Sequence, residues 1–182
     1  MTSKPADDEA LLERAKAYDE EALAEIYDAY AARIYGYIYR RVGDRMLAES
    51  LAGEVFVRML SAIRADQAWR SSFSGWLYRI AHNLVVDHYR RNPEEGEAPL
   101  DGQELATEGT PADALREKAS RERLLSAVQR LTQLQQQVLV LRFGEGLTSR
   151  ETAEVMDKSI SAVEALQHRG LVSLRRILEG GG

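Results

Sequence analysis

Apolar residues recur at spacings of three and four along almost the whole chain, and this feature most limits its fold. Such spacing places apolar side chains along one face of an α-helix, whereas a half-buried strand requires alternation with a period of two. The clearest example runs through Phe73, Trp76, Leu77, Ile80, Ala81, Leu84 and Val85. No segment alternates long enough to predict a strand. The sequence therefore predicts an all-α protein.

The segment at residues 93–111 interrupts this pattern. It contains three of the four prolines of the chain and shows no apolar periodicity. Residues 93–115 also hold seven acidic and no basic side chains, so the rest of the chain is net positive although the total charge is −5. A segment of this composition buries too little apolar surface to offset the entropy lost on ordering. We predict two small helical domains, residues 1–92 and 114–182, joined by a flexible acidic linker at residues 93–113.

In the first domain, short polar motifs mark the ends of helices. Gly43 suits the end of one helix and Asp44 the N-cap of the next. Ser72 or Ser74 can cap the helix that carries the Trp76 stripe. The span 64–91 holds five arginines against two aspartates, so a basic surface is predicted here.

The second domain contains the pattern of a helix-turn-helix. Thr148 and Glu151 form a capping box at the start of a short helix, and a turn at residues 157–159 precedes a longer amphipathic helix. In a helix-turn-helix the exposed face of the second helix enters the major groove. The candidate residues are Arg150, Lys158, Ser159, Ser161, Glu164, Ala165, His168 and Arg169. On pattern alone, a plain antiparallel helix pair in a bundle core is an equally good interpretation.

Two stretches in each domain carry a resemblance to a known family. Residues 131–148 (LTQLQQQVLVLRFGEGLT) and 162–171 (AVEALQHRGL) resemble region 4, the promoter −35-binding domain, of bacterial extracytoplasmic-function sigma factors. Residues 48–56 (AESLAGEVF) and 73–91 (FSGWLYRIAHNLVVDHYRR) resemble region 2 of the same family. The resemblance covers about 150 residues in the family's order. It implies a region-2 helical bundle followed by a region-4 helix-turn-helix domain.

The resemblance also implies roles for the first domain. One helix face would bind the clamp of core RNA polymerase, and its candidate residues are Glu49, Ser50, Gly53, Glu54 and Arg58. The loop and helix that follow would capture an unstacked base of the −10 element, which offsets part of the cost of melting. The candidate residues there are Arg64, Trp69, Arg70, Phe73, Arg79, Asn83, Asp87, Arg90 and Arg91. Further partners implied are the polymerase flap, promoter DNA and an anti-sigma factor.

For several of these side chains, a structural role in the fold is an alternative to a contact with DNA. Trp76 lies on the apolar stripe and is predicted to be core, Phe73 is either core or a base-stacking residue, and Trp69 is the better candidate for an exposed aromatic. Asn83 either contacts a phosphate or is a satisfied polar group between helices, with the second favoured. The three histidines have no metal-binding spacing and are predicted to lie on the surface.

The sequence departs from the family pattern at four positions. Ser50 and Gly53 replace an aspartate and a glutamine of the clamp-binding motif, which predicts either weaker binding to core polymerase or a partner that compensates. Glu164 stands where the family usually has Lys or Arg, and it is interpreted either as a capping residue paired with Ser161 or as a residue of the DNA-binding face. Asp157 replaces a glycine in the turn, and aspartate tolerates the left-handed conformation better than most residues.

We predict a transcription initiation factor that directs core RNA polymerase to promoters and helps to melt the −10 element. Two alternatives stay open: a helix-turn-helix regulator that binds duplex DNA alone, and a sigma-like decoy that binds core or an anti-sigma factor without initiating. No cysteine, nucleophile–base pair or phosphate-binding glycine loop is present, so neither an enzyme nor a bound cofactor or metal is predicted. The absence of a signal peptide and of a spanning apolar run predicts a cytoplasmic location.

Overall fold

The computed structural model describes residues 9–96 and 110–180, and within those ranges the chain is helical and contains no strand. The prediction of an all-α fold is confirmed. The helices are α1 (Glu9–Lys16), α2 (Glu20–Val42), α3 (Arg45–Arg64), α4 (Phe73–Arg91), α5 (Pro111–Gln129), α6 (Gln133–Leu139), α7 (Ser149–Met156) and α8 (Ile160–Gly180), with a π-helical turn (Val140–Gly144) after α6. We call α1–α4 the N-terminal block and α5–α8 the C-terminal block.

The ends of α2, α3 and α4 follow the predicted capping chemistry. Gly43 ends α2 with a left-handed backbone (φ 68°), which glycine adopts without a steric penalty. Asp44 caps α3 by accepting a hydrogen bond from the amide of Leu47 at 2.8 Å. Ser72, rather than Ser74, caps α4 and accepts from the amide of Gly75 at 3.1 Å. Ser74 is buried instead, where its hydroxyl lies 2.8 Å from that of Tyr30.

The N-terminal block is built on α2, α3 and α4, which pack around fully buried Ile34, Tyr37 and Leu77. His82 of α4 faces this core, so the prediction that it lies on the surface is wrong. Its Nδ1 atom lies 2.9 Å from Nη1 of buried Arg41 and 3.3 Å from the hydroxyl of Tyr37. The histidine is buried because it completes a polar cluster between α2 and α4. His168 is exposed, as predicted.

The C-terminal block begins earlier than predicted. Helix α5 starts at Pro111, inside the predicted linker, because proline suits the first turn of a helix and Thr110 caps it. Most of the predicted linker, residues 97–109, lies outside the described residues. Helix α6 begins with a capping box between Thr132 and Gln135 that was not predicted from the sequence, whereas the predicted box of Thr148 and Glu151 is present.

The two blocks contact each other through α4 and α7. Buried side chains of both blocks, including Leu77 on one side and Val155 on the other, belong to one apolar cluster. Helix α8 packs against α6 and α7, and much of its surface is exposed. Among the helices of residues 9–96 and 110–180, none combines the length and apolar character needed to cross a membrane.

Candidate nucleic-acid interfaces

The turn between α7 and α8 fixes the geometry of the helix-turn-helix. Asp157 ends α7 in the left-handed conformation (φ 52°, ψ 51°), as the sequence led us to expect. The amide of Lys158 donates to the carbonyl of Ala153 at 3.0 Å, which closes the end of α7. Ser159 then caps α8 by accepting a hydrogen bond from the amide of Ala162 at 3.1 Å. Buried Val155 and Val163 pack the two helices together, so the angle between them is set by both cap and core.

Replacing Asp157 with valine is expected to destabilise the C-terminal block by about 1–2 kcal/mol, because a β-branched residue fits the left-handed conformation poorly. Asparagine tolerates that conformation, so Asp157→Asn is the matched control, with an expected change below about 0.5 kcal/mol. Hydrogen exchange of the amides of α7 and α8 measures this block separately from the rest of the chain. Equal amide protection in the valine variant and the wild type would contradict the expected strain.

The exposed surface of α8 carries the residues predicted to enter the major groove. Ser161, Glu164, Ala165 and His168 are all exposed, and their spacing of three, four and seven places them on one side of the helix. We call these four residues the α8 face. Three of the remaining candidates, Arg150, Ser159 and Arg169, are also exposed, and Lys158 is half-buried.

Glu164 is not a capping residue. Because Ser159 is the cap, Ser161 lies within the first turn of α8 and Glu164 lies beyond the positions that a capping box uses. The interpretation of Ser161 and Glu164 as a capping box is therefore wrong. Glu164 is an exposed carboxylate in the middle of the α8 face.

Arg142 connects the two helices of the helix-turn-helix and was not identified from the sequence. Its Nε donates to Oε1 of Gln167 in α8 at 2.8 Å, and its Nη1 donates to the carbonyl of Leu147, just before the cap of α7. The residue lies in the π-helical turn that follows α6. Such turns interrupt the regular spacing of side chains, so helical periodicity cannot indicate where Arg142 points.

Trp69, the aromatic residue of the loop between α3 and α4, is buried. Trp69 is only 5% exposed, and its ring lies 4.7 Å from that of Phe73 and 5.5 Å from that of Trp76. The ammonium group of Lys16 in α1 lies 5.2 Å from the ring of Trp69. The prediction of an exposed Trp69 is wrong, because α1 and α4 enclose the loop on two sides. Phe73 is 2% exposed, which resolves its two interpretations in favour of the core, while Trp76 is half-buried against that core.

The other candidates of this region lie on the surface. Arg64, Arg70, Arg79, Asn83, Arg90 and Arg91 are exposed, and Asp87 is half-buried. Because Asn83 is exposed, the favoured interpretation of a polar group between helices is wrong. Arg79, Asn83 and Asp87 follow one another at spacings of four and share one side of α4. Asp87 forms an ion pair with Arg90 at 3.0 Å, which reduces the charge that this part of the surface presents.

Helix α3 presents the residues predicted to bind core polymerase. Glu49, Ser50, Gly53, Glu54 and Arg58 are all exposed. Arg58 donates to Glu54 one helical turn away at 3.0 Å. A Cβ atom at Gly53 would meet nothing within 4 Å, so no neighbour requires a glycine there.

Glu145 connects the two blocks, and no local sequence pattern singles it out. It is 6% exposed; its carboxylate pairs with Arg40 of α2 and accepts a hydrogen bond from the hydroxyl of Tyr78 of α4. Its backbone carbonyl accepts from Arg33 at 2.9 Å. Burial and the adjacent carboxylate raise the pKa of Tyr78 well above its ordinary value, so this hydroxyl stays protonated as a donor.

A second set of polar contacts joins the start of α4 to α7. Ser72 donates to Glu151, and the hydroxyl of Ser71 lies 3.2 Å from both carboxylate oxygens of Glu154. A Cβ atom at Gly75 would lie 3.3 Å from the Cβ of Glu151, so the two helices approach closely here. Throughout the described ranges, no three His, Cys, Asp or Glu side chains are placed to hold a metal ion.

Two family models match the chain. Sigma-70 region 2 matches residues 26–94, and Sigma-70 region 4 matches residues 127–176. The first match contains α3 and α4 with the loop between them, and the second contains the helix-turn-helix. Each match therefore falls on one of the two blocks.

Curated relatives match over most of the chain. It is 40% identical over 172 residues to the ECF RNA polymerase sigma factor BldN of Streptomyces coelicolor, covering 92% of this chain and 64% of BldN. It is 30% identical over 179 residues to the ECF RNA polymerase sigma factor SigW of Bacillus subtilis, covering 92% of this chain and 94% of SigW. The chain thus spans about two thirds of the length of BldN and nearly all of SigW.

A solved structure shares the fold. The structure of CnrH in complex with the cytosolic domain of CnrY matches with a TM-score of 0.65 at 20% identity, covering 96% of this chain and 99% of the other. At that identity the likeness concerns the fold alone. The two region matches and the identity to SigW show that the chain belongs to the family of extracytoplasmic-function sigma factors of RNA polymerase.

Proposed function

We propose that this chain binds core RNA polymerase, directs it to a set of promoters and helps to melt their −10 element. A sigma factor acts in transcription initiation, and each described block has an exposed surface suited to one part of that task. We assign residues 1–92 to polymerase and −10 binding, residues 111–182, which begin with α5, to −35 binding, and residues 93–110 to the linker between them.

The exposed α8 face is the observation that carries the proposal. Its residues lie on a helix whose angle is fixed by the Asp157 turn, the Ser159 cap and the contact of Arg142 with Gln167. A fixed helix with a free outer face is what major-groove reading requires. We assign base contacts to the α8 face and phosphate contacts to Arg150, Lys158 and Arg169, because cations near phosphates release counterions.

For the −10 element we assign phosphate contacts to five exposed arginines of the N-terminal block: Arg64, Arg70, Arg79, Arg90 and Arg91. Asn83, exposed beside Arg79 on α4, is the candidate for a contact to a base or sugar. Trp69 and Phe73 are buried against each other, so we propose that they hold the loop in place and do not stack on bases.

Replacing Ser50 with aspartate and Gly53 with glutamine is expected to raise affinity for core polymerase about tenfold, because two polar contacts contribute about 0.5–1.5 kcal/mol each. The space at Gly53 is open, and removing a glycine from a helix interior stabilises that helix by up to about 1 kcal/mol. Gly53→Ala is the matched control, since it adds helix stability without a polar contact. A pull-down in which the double variant binds core no better than Gly53→Ala would count against the α3 surface as the clamp contact.

We further propose an anti-sigma factor as a partner and the cytoplasm as the location, where core polymerase and its promoters are found. The polymerase flap is the proposed contact of the C-terminal block. The activity assigned here consists of binding and positioning, with no catalytic step by the chain itself.

Run-off transcription with purified core polymerase on a library randomised at the −35 and −10 elements tests the proposal. We expect transcripts from a restricted set of sequences, and sequencing them identifies both elements. Duplex binding without any transcript would instead support a regulator that acts without polymerase. Core binding without initiation would support the decoy, for which Ser50 and Gly53 at the exposed α3 surface are the specific observation.

A further inference from the structure

We infer that Gln167 binds a phosphate of the −35 element through the N–H groups of its side-chain amide, and that Arg142 is the positioning residue that leaves those groups available. The inference rests on the proposed function, because it concerns how α8 is seated in the groove of the −35 duplex. Neither residue is among the DNA contacts assigned above, which are the α8 face and three cations.

The contact with Arg142 determines which end of the Gln167 amide can meet a ligand. Nε of Arg142 lies 2.8 Å from Oε1 of Gln167, and an arginine N–H can only donate, so the bonded atom is the amide oxygen. The guanidinium is itself fixed by a second bond, from its Nη1 to the carbonyl of Leu147. Among the described residues no partner contacts the amide nitrogen of Gln167. Its two N–H donors are therefore the end that remains for a ligand.

Gln167 lies at one edge of the α8 face. Side chains of an α-helix advance by about 100° per residue, so Gln167 lies about 60° around the helix from Glu164 and about 100° from His168. It is half-buried, whereas those two residues are exposed. A helix in the major groove directs its central side chains to the bases and its flanking side chains to the sugar–phosphate backbone. A phosphate oxygen is therefore the acceptor that the Gln167 donors meet.

One row of α8 side chains forms this edge, and within it only the Gln167 side chain can donate a hydrogen bond. The row consists of Ile160, Glu164, Gln167 and Leu171, at spacings of four, three and four. The isoleucine and the leucine are apolar and each 40% exposed, and the carboxylate of Glu164 repels phosphates. Because the Gln167 amide is uncharged, it binds a phosphate without the counterion release that accompanies a cation.

A purely structural role for Gln167 predicts a different result from one substitution. Gln167→Glu keeps an oxygen for Arg142 and adds charge to that pair, so a structural bridge tolerates the change or becomes stronger. The same substitution removes both N–H donors and places a carboxylate near the phosphate. We expect hydrogen-exchange protection of α7 and α8 to stay at the wild-type level while the affinity for −35 duplex falls at least about tenfold.

The affinity is measured by fluorescence anisotropy, with the full chain bound to core polymerase and a −35 duplex recovered from the randomised library. Gln167→Met, of similar size but without a donor, is expected to lose about tenfold, because hydrogen bonds to charged groups are the stronger ones. Its dependence on salt should match that of the wild type. Arg150→Met is the contrasting variant, since loss of a cation lowers the slope of log affinity against log salt by about 0.9.

Duplexes that carry a single methylphosphonate, which is uncharged, identify the phosphate. Neutralising the phosphate that Gln167 binds should weaken binding by the wild type, and Gln167→Met should lose little more at that position, because both changes weaken the same contact. Arg142→Lys keeps the charge but not the fixed N–H groups of the guanidinium. It should weaken binding by the wild type and have little added effect in the Gln167→Met background.

Three results would overturn the inference while leaving the proposed function intact. The first is wild-type affinity in Gln167→Glu, and the second is a loss by Gln167→Met that is the same on every methylphosphonate duplex. The third is lower amide protection of α8 in Gln167→Glu, because the carboxylate retains the bond to Arg142. If the wild type with core prefers no −35 sequence, the proposed function fails and the inference fails with it.

Discussion

Replacing Phe73 with alanine is expected to lower the free energy of unfolding of the N-terminal block by about 3–5 kcal/mol. The side chain is 2% exposed and lies at the centre of an aromatic cluster. Its ring meets those of Tyr30 at 5.3 Å and Trp69 at 4.7 Å, both edge to face. Such pairs add to the stability that burial provides, and the cavity left by alanine cannot be filled without moving α4.

Val86→Ala is the matched control on the same helix. Val86 is 42% exposed, so its truncation is expected to change the free energy of unfolding by less than about 0.5 kcal/mol. Both tryptophans of the chain, Trp69 and Trp76, lie in the N-terminal block. The urea midpoint followed by their fluorescence therefore reports on this block. If the variants and the wild type have the same dependence of the unfolding free energy on urea, their midpoints can be compared directly as stabilities.

The result also decides the role of Phe73. If the Phe73→Ala variant unfolds at the same urea concentration as Val86→Ala but binds the −10 strand more weakly, the ring leaves the core to stack on a base, and a purely structural role for Phe73 is wrong. A large loss of stability supports a structural role, in which Phe73 holds the loop through its contact with Trp69.

The features that could be predicted from sequence are those that depend on residues within about one helical turn of each other. Gly43 and Asp44 mark a helix boundary because each acts on its near neighbours. Gly43 adopts the left-handed conformation that ends α2, and Asp44 accepts a hydrogen bond from an amide three residues later. The same holds for Thr148 with Glu151 and for the left-handed Asp157. Apolar spacing predicted the long helices α2, α3, α4 and α8 for the same reason: it depends on neighbours three and four positions away.

The features that were missed depend on residues far apart in the chain. Glu145 is separated from Arg40 by 105 positions and from Tyr78 by 67, so no window of sequence contains the contact. Trp69 follows no helical stripe, and its burial results from α1 and α4 closing around the loop. Glu164 was ambiguous because two serines, Ser159 and Ser161, both suit a cap, and the backbone decides between them.

Replacing Glu164 with arginine is expected to raise the affinity for −35 duplex DNA about tenfold at low salt, or about 1.4 kcal/mol. The residue is exposed in the middle of the α8 face and takes no part in the cap of α8, so the fold does not require a carboxylate there. A negative charge at this position is repelled by phosphates, and an arginine attracts them. The logarithm of the affinity should fall more steeply with that of salt concentration, by about 0.9 for each additional phosphate that the protein neutralises.

Two further variants separate a general charge effect from a specific contact. Glu179→Arg makes the same change of charge at the far end of α8, where Glu179 pairs with Arg175 at 2.7 Å, and is expected to leave the affinity nearly unchanged because exposed charges beyond about 10 Å are screened. Glu164→Gln removes the charge without adding one, so repulsion alone predicts an affinity between those of the wild type and Glu164→Arg.

A carboxylate can also accept a hydrogen bond from the N4 amino group of cytosine, and that role predicts the opposite order. If Glu164 reads a cytosine, both Glu164→Gln and Glu164→Arg bind the recovered promoters more weakly, and selection from the randomised library shifts at a single −35 position. Fluorescence anisotropy on the recovered −35 duplex at several salt concentrations distinguishes repulsion of phosphates by Glu164 from recognition of a cytosine. Weaker binding by Glu164→Arg at every salt concentration would show that the carboxylate is a specificity residue and that its repulsion of phosphates is the smaller effect.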